Sequence, residues 1–494
     1  MGRLPVLPKT WANVVLMRLD FLSIKKTNLA GFPLPLKHSI DVYLKKLIEL
    51  KERRRWYENG ILSVAVTVAP ALAAAQPSST PPAFLDAQAS DPVTMGWMMG
   101  SPPPANRVIR FADGSYFQFP QTRWTFSNYR QLLPTRPVGR GPMPASALKS
   151  ALQPELEAVR FKNLDSDETF SFGDMYSKTY ADGIVVLHRG QVVYEKYTGA
   201  LKPNGHHAAA SLTKSFVGIL GASMVADGTL DEKATVSKYL PELKDGGFGD
   251  ATIRQLLDMT TGLQYSENYV DPNAEVWSHV RAGGVLPKPA NYLGPQTFYE
   301  FLLTVQKEGE HGKAFAYKTV NSDVMAWVIA RVTGKSMSEM FSERIWSKLG
   351  VEHDAYFTVD SIGTEFAGGG LNTNLRDMAR FGEMMRNKGR VGTHQVVPEA
   401  VVADIAKGAS PEQFAQAGFP WLKGWSYRNM WWISHNDHGA YMARGIHGQS
   451  LYIDPKAEMV IARFGSHPIA TGNANDPFTL PAFAAMADAL MKSP

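Results

Sequence analysis

The 494-residue chain contains no cysteine, which excludes disulfides, thiolate nucleophiles, iron–sulfur clusters and cysteine-held zinc. That absence is silent about compartment, since a thiol-free chain survives in either redox environment. There is no Gly-x-Ser-x-Gly elbow, no His-Glu-x-x-His pair and no dinucleotide or P-loop glycine pattern. An α/β-hydrolase fold, a helical zinc site and a nucleotide cofactor are therefore not expected, and neither a cofactor nor a metal is implied. Charge of one sign is scarce as well. The net charge is +5, but residues 1–55 hold twelve Lys/Arg against four Asp/Glu, and subtracting that +8 from +5 leaves −3 for the rest. A mildly acidic body has no footprint for a phosphate backbone, so nucleic acid is not an expected partner. What is present is ordinary globular composition, 44% hydrophobic, 20% charged and 11% aromatic, in a chain long enough to bury a sizeable core.

The apolar run Ile61–Leu72 is twelve residues long, too short to span a bilayer, and no other segment is a better candidate. It follows Arg53-Arg54-Arg55 and precedes Ala73-Ala74-Ala75-Gln76. A basic stretch, a short apolar stretch and small residues make a secretory signal over 53–75. Residues 1–75 then read as a presequence, with the true translation start near Arg53, and the mature protein is expected to be periplasmic or secreted rather than held in a membrane. Residues 76–170, opening with Gln-Pro-Ser-Ser-Thr-Pro-Pro and rich in Pro, Gly and aromatics over 97–144, read as an irregular segment packed on a core.

Regular structure is legible from 171 to 494. Ile184–Leu187 and Val192–Tyr194 flank a turn at His188–Gln191, and Ser450–Ile453 and Met459–Phe464 form a second hairpin around Asp454-Pro455-Lys456. Helices are predicted over Ser211–Asp227, Thr252–Met259, Asn321–Thr333, Leu375–Lys388 and Leu480–Met491, the last with Pro481 in its first turn. His206-His207 read as loop. The simplest architecture is an α/β (α+β) domain: an antiparallel sheet completed by N- and C-terminal strands, flanked by helices, with a mainly helical insertion.

Chemistry points first to Ser211-Leu212-Thr213-Lys214. Residues i and i+3 share a helix face, so the hydroxyl and the amine can meet. Desolvation among Ala208-Ala209-Ala210 and Phe216-Val217 would lower the lysine pKa enough for it to act as base. The pattern recurs at Ser23–Lys26 and Ser146–Lys149, but only Ser211 follows a strand hairpin and opens an apolar helix, whose N–H groups can hold an oxyanion. The stretches Ser211–Leu230 and Ile253–Leu263 resemble the serine β-lactamase (penicillin-recognising) superfamily. Phe119–Arg140, Tyr317–Gly334 and Ala443–Pro455 resemble, more narrowly, the 6-aminohexanoate-dimer (nylon-oligomer) hydrolases.

The resemblance implies roles. Ser211 would form the acyl-enzyme, Lys214 would be its base, and Tyr317 would relay a proton to the leaving group, its phenolate favoured by Lys214. The usual Tyr-x-Asn has Thr319 at its third position, and Asn321 follows as a candidate substrate-binding residue or a helix cap. The strand element that is normally Lys-Thr-Gly resembles His447-Gly448-Gln449, with His447 lining the site and Ile446 supplying the second oxyanion N–H beside that of Ser211. Loss of that lysine removes the partner of a β-lactam carboxylate, so antibiotic hydrolysis is not the expected activity. Tyr269 and Trp432 resemble substrate-contacting aromatics. His435, Asp437, His438 and His447 are close in sequence but lack metal-site spacing. The family implies a serine hydrolase acting on small linear amides or esters, with a homodimer as one arrangement. A carboxylesterase, a D-amino-acid peptidase or other β-lactamase relative, a non-catalytic cell-wall-binding protein and a metal-dependent hydrolase are the alternatives.

Overall fold

Arg189 and Gly190, both at positive φ, reverse the chain between β1 (Ala181–His188) and β2 (Gln191–Tyr197). This is the two-residue turn whose twist suits a hairpin. β1 is buried along its whole length, which is why it reads as a continuous apolar run rather than an alternation. Four hundred and nine residues, 84–492, are described in this computed structural model. The chain separates into Met1–Pro81 and Pro82–Pro494, and all described residues belong to the second unit. The signal expected at 53–75 and the Ser23–Lys26 pair lie outside the described residues.

The distant strands meet as expected. β3 (Ser426–Arg428), β4 (Trp431–Ile433), β5 (Tyr441–Gly445), β6 (Gln449–Asp454) and β7 (Met459–Gly465) join the first hairpin in one seven-stranded sheet of order β3-β4-β5-β6-β7-β1-β2. Every neighbouring pair is antiparallel, and the seam between the two ends of the domain is β7 on β1, with Ile461 opposite Val186.

Five longer helices matter for the site: α1 (Leu212–Ala226), α2 (Glu275–Ala282), α3 (Val320–Thr333), α4 (Leu375–Arg386) and α5 (Asp476–Lys492). Successive strand residues face opposite sides of a sheet. Leu451 packs beneath Gly382 of α4, and its neighbour Tyr452 meets Phe483 of α5, so helices cover both faces. α5 begins at Asp476, four residues before the expected Leu480, because Arg444 holds both oxygens of Asp476 and fixes the helix start. Pro481 is consequently inside the helix rather than in its first turn. The segment expected as Thr252–Met259 is shorter, Ile253–Leu257, with Thr252 and Gln255 forming a capping box.

A second sheet interrupts the helical middle. Its order is Thr135–Val138, Ala355–Thr358, Leu371–Asn374 and His206–Ala208. His206-His207 are therefore strand, not loop. His207 stacks on Phe464 at 4.6 Å, and its Nε2 lies 3.2 Å from Asp182. The 84–133 stretch is mostly short turns around its own apolar cluster of Trp97, Ile109, Tyr116, Phe126, Tyr129 and Leu133, which also takes in Ala208 of that strand, whereas Val138, Leu156 and Phe161 farther on pack into the main core.

α1 is buried nearly all round, as a helix at the centre of a large core must be. The turn between β3 and β4, with Asn429 and Met430 both at positive φ, presses against it. That turn is fixed from three sides: Asn429 N–H donates to Asp258 at 3.1 Å, Met430 N–H to the Leu257 carbonyl at 2.8 Å, and Ser215 Oγ to the Met430 carbonyl at 2.6 Å. A Cβ at Gly218 would run into the Asn429 carbonyl and stand 2.9 Å from the Met430 Cβ. Gly218→Ala should therefore destabilise the fold by about 1–3 kcal/mol by overpacking, although alanine is the better helix former by about 1 kcal/mol. Denaturant midpoints check this; an unchanged or raised midpoint would show that the turn yields.

Candidate active site

Ser211 stands at the entry to α1, immediately after Ala210, whose φ of 46° is unusual for a residue with a side chain. Hydrogen bonds hold that bend. Ala209 N–H donates to the Leu371 carbonyl at 2.9 Å, Thr213 Oγ1 donates to the Ala210 carbonyl at 2.6 Å, and Leu371 N–H donates to Thr213 Oγ1 at 3.1 Å. One turn of helix then brings Lys214 Nζ to 2.8 Å from Ser211 Oγ, and the same amine donates to the Gly368 carbonyl at 2.6 Å. Lys214 is 1% exposed. Burial pulls its pKa down to about 8 against the opposing pull of Glu267 and Asp323, so a usable fraction is neutral near neutral pH.

Tyr317 shares a side-chain hydrogen bond with Ser211, and the Lys214 amine lies 5.0 Å from its ring centroid. The phenolate expected from the sequence is not supported by these surroundings. Burial, then the Glu267 carboxylate, push the Tyr317 hydroxyl well above its usual value, with Ser211 and Arg444 only partly offsetting them. Tyr317 is a neutral phenol, a proton donor in its resting state. Of the two groups, Lys214 is the one whose neutral form can accept a proton near neutral pH.

The cleft in front of Ser211 is lined by Ile446, Gln449, Thr319, Tyr269, Trp277 and Phe126. Tyr269 is thus brought to the site, with its hydroxyl donating to Glu267 at 2.8 Å. Ile446 is also at the cleft, in a turn braced by the fully buried Arg463, which donates to the Gly448 carbonyl and to Thr179.

Three expected positions need correcting. Asn321 does not face substrate: it is fully buried inside α3, accepts from Thr261 Oγ1 at 2.8 Å and donates to the Lys318 carbonyl at 3.2 Å. His447 stands behind the cleft wall, its ring against Phe126 at 5.1 Å and its Nδ1 2.7 Å from the His467 carbonyl. Burial lowers its pKa to about 4, so it is neutral. Trp432 packs on Tyr317 at 5.4 Å and among Tyr427, Phe414 and Phe419, supporting that phenol, and is not among the residues lining the cleft.

The strand edge beside the nucleophile is also different from the one expected. β5 ends at Ala443-Arg444-Gly445, where a Cβ on Gly445 would be 2.8 Å from the Ala209 carbonyl, and His447-Gly448 lie in the following turn. A cation is therefore present on this strand. Arg444 is held by Asp476 and lies 5.1 Å from the Trp432 ring, so its charge is already partnered.

Glu267 was given no role from the sequence, yet it accepts from the Thr319 N–H and from Tyr269 and acts electrostatically on both Lys214 and Tyr317. Asp323 is the second missed acid: it accepts from Gly368 N–H at 3.1 Å and lies 3.3 Å from His279 Nε2, behind the carbonyl that Lys214 bonds. Its signal was weak, an acid one turn into a helix. The remaining histidines separate, His435 to Ser426 and His438 to Asp454, and among the described residues no three His, Asp or Glu side chains gather as metal ligands.

The Beta-lactamase family pattern matches residues 177–480. The 6-aminohexanoate-dimer hydrolase of Paenarthrobacter ureafaciens is 34% identical over 356 residues, 72% of this chain and 88% of its own. A lovastatin esterase of Penicillium rubens is 25% identical over 206 residues, 35% of this chain and 49% of the esterase. Among solved structures, a Bacillus anthracis protein described as a 6-aminohexanoate-dimer hydrolase superposes with a TM-score of 0.72 at 32% identity, covering 80% of this chain and all of its own. With a buried lysine against a serine at a helix entry, the chain belongs to the β-lactamase family and is a serine hydrolase.

Proposed function

We propose that this enzyme hydrolyses small linear amides and esters, a class that includes 6-aminohexanoate oligomers, through an acyl-enzyme on Ser211. The observation that carries the reading is the division of labour between a buried amine with its pKa near 8 and a phenol held neutral on the same serine. Neutral Lys214 takes the Ser211 proton as Oγ attacks the carbonyl. The Ser211 and Ile446 N–H groups hold the oxyanion. Tyr317 donates its proton to the departing nitrogen or oxygen, and the Lys214 ammonium restores the Tyr317 proton. In the second half, Lys214 takes a proton from the attacking water and returns it to Ser211 Oγ as the acid leaves. Atoms and protons then balance over the cycle.

An acid matters most for an amine, which leaves poorly without a proton, and least for p-nitrophenolate. Tyr317→Phe should lower kcat/KM on a linear amide by roughly 10²–10⁴-fold, with a loss under about tenfold on the matching p-nitrophenyl ester. Wild-type hydrolysis of the 6-aminohexanoate dimer, followed by amine release, accompanies the comparison. Equal losses on amide and ester would remove Tyr317 as the acid. Ester cleavage with no cleavage of any linear amide would favour the carboxylesterase reading.

A further inference from the structure

Tyr317 marks the leaving-group side, because the proton donor must stand by the departing atom, and Trp432 and Arg444 lie behind it. Tyr317 is not among the residues that line the cleft at Ser211. The cleft walls come from three parts of the chain. The N-terminal segment gives Phe117, Phe126, Tyr129 and Leu133; α2 gives Val276 and Val280 one turn apart; and Val285, Leu286 and Phe366 add to the apolar lining. None of the residues lining this cleft is Asp, Glu, Lys, Arg or His.

The carboxylates behind these walls are already engaged. Beside Val276 and Val280 on α2, the fully buried His279 turns to Tyr265 at 3.0 Å and to Asp323, whose other oxygen takes the Gly368 N–H. Asp360 accepts from the N–H groups of Phe298, Ile362 and Thr364. Glu365 accepts from Ser338 N–H and Arg136. Glu267, at the edge near Tyr269, is held by that tyrosine and by Thr319 and stands toward Lys214. An ammonium carried into the cleft on an acyl chain would lose its water and meet no free anion, which is costly in a low-dielectric site.

We infer that this cleft is the acyl pocket and that it selects an uncharged apolar acyl chain, of the straight alkanoyl kind, over one that ends in an ammonium group. The inference rests on the acyl-enzyme reading above and deepens it. Charge on the acyl group is not tolerated in this pocket, whereas the leaving group lies outside it, beside Tyr317. The 6-aminohexanoate dimer is then a poor member of the substrate class, since its acyl half carries the ammonium.

The test is a panel on the wild-type enzyme at pH 8, with Ser211→Ala as control. The amides N-hexanoyl-6-aminohexanoate and the 6-aminohexanoate dimer differ only in that the former lacks the terminal amine. The p-nitrophenyl esters of hexanoate and of 6-aminohexanoate repeat the comparison without the need for a leaving-group acid. The hexanoyl member should be favoured by 10²-fold or more in kcat/KM in both pairs. Within the alkanoyl esters, each methylene from butanoyl to hexanoyl should add about fourfold, the value of one buried CH₂. Equal rates within the ester pair, or faster cleavage of the ammonium-ended ester, would overturn the inference and make Glu267 the receptor for that amine. If both amides are inert while the hexanoyl ester retains its advantage and depends on Ser211, the amide reading fails and the acyl selectivity stands.

Discussion

Ser211→Ala should reduce kcat on any amide or ester by about 10⁵–10⁶-fold, the loss expected when the nucleophile of a covalent mechanism is removed. The residue contributes more than a hydroxyl in the right place. Its Oγ is the meeting point of the proposed base and acid, 2.8 Å from Lys214 Nζ and hydrogen-bonded to Tyr317. Without it there is no hydroxyl proton for Lys214 to take and no acyl-enzyme to form, and what remains is binding and a pair of backbone donors. A fluorophosphonate probe should label the wild type and leave the variant unlabelled. The fold should be little changed, because Lys214 keeps its bond to the Gly368 carbonyl and the bend at Ala210 is held by Thr213 and Leu371, not by the Ser211 side chain. Undiminished hydrolysis of a small ester by the variant would show that a different residue attacks.

Most of this site was legible because its central pair is local. Ser211 and Lys214 need only a helix to meet, and the apolar residues around them declare the helix and its burial together. The hairpins at both ends were legible for the same reason, each carrying its turn between apolar runs. What escaped depends on contacts that no local pattern encodes. Glu267 acts across fifty-two residues through the Thr319 N–H, a backbone donor that any residue type could supply. His207 looks like loop until Leu371–Asn374 arrives to pair with it. Asn321 sits where a substrate contact could be imagined, but the first turn of α3 aims it at Thr261 instead. The cation on β5 was missed because the turn after the strand was aligned with the strand's own end. Arg444 and Asp476 specify each other from thirty-two residues apart, and that pair also sets where α5 begins.

Lys214→Met should be nearly as damaging to catalysis as loss of the serine, by about 10³-fold or more, and its pH behaviour separates a base from a spacer. In the wild type the working form is the neutral amine, so kcat/KM should rise with unit slope as pH increases and level off above about 8. The variant should show no such limb. Glu267→Gln removes a negative charge that favours the ammonium, so it should move the limb to lower pH while leaving its slope intact. Stability carries the same signature. The Lys214 pKa in the folded state, about 8, lies below its ordinary value of 10.5, so the unfolded chain binds the extra proton between those two values. Wild-type stability should therefore rise with pH across that window by about 3 kcal/mol from this residue. Lys214→Met lacks that contribution, and the difference in denaturant midpoint between the two proteins should shift in favour of the wild type from pH 8 to pH 10.5. A difference that is flat over the same range would mean that Lys214 is charged in the folded enzyme and cannot be the base that activates Ser211.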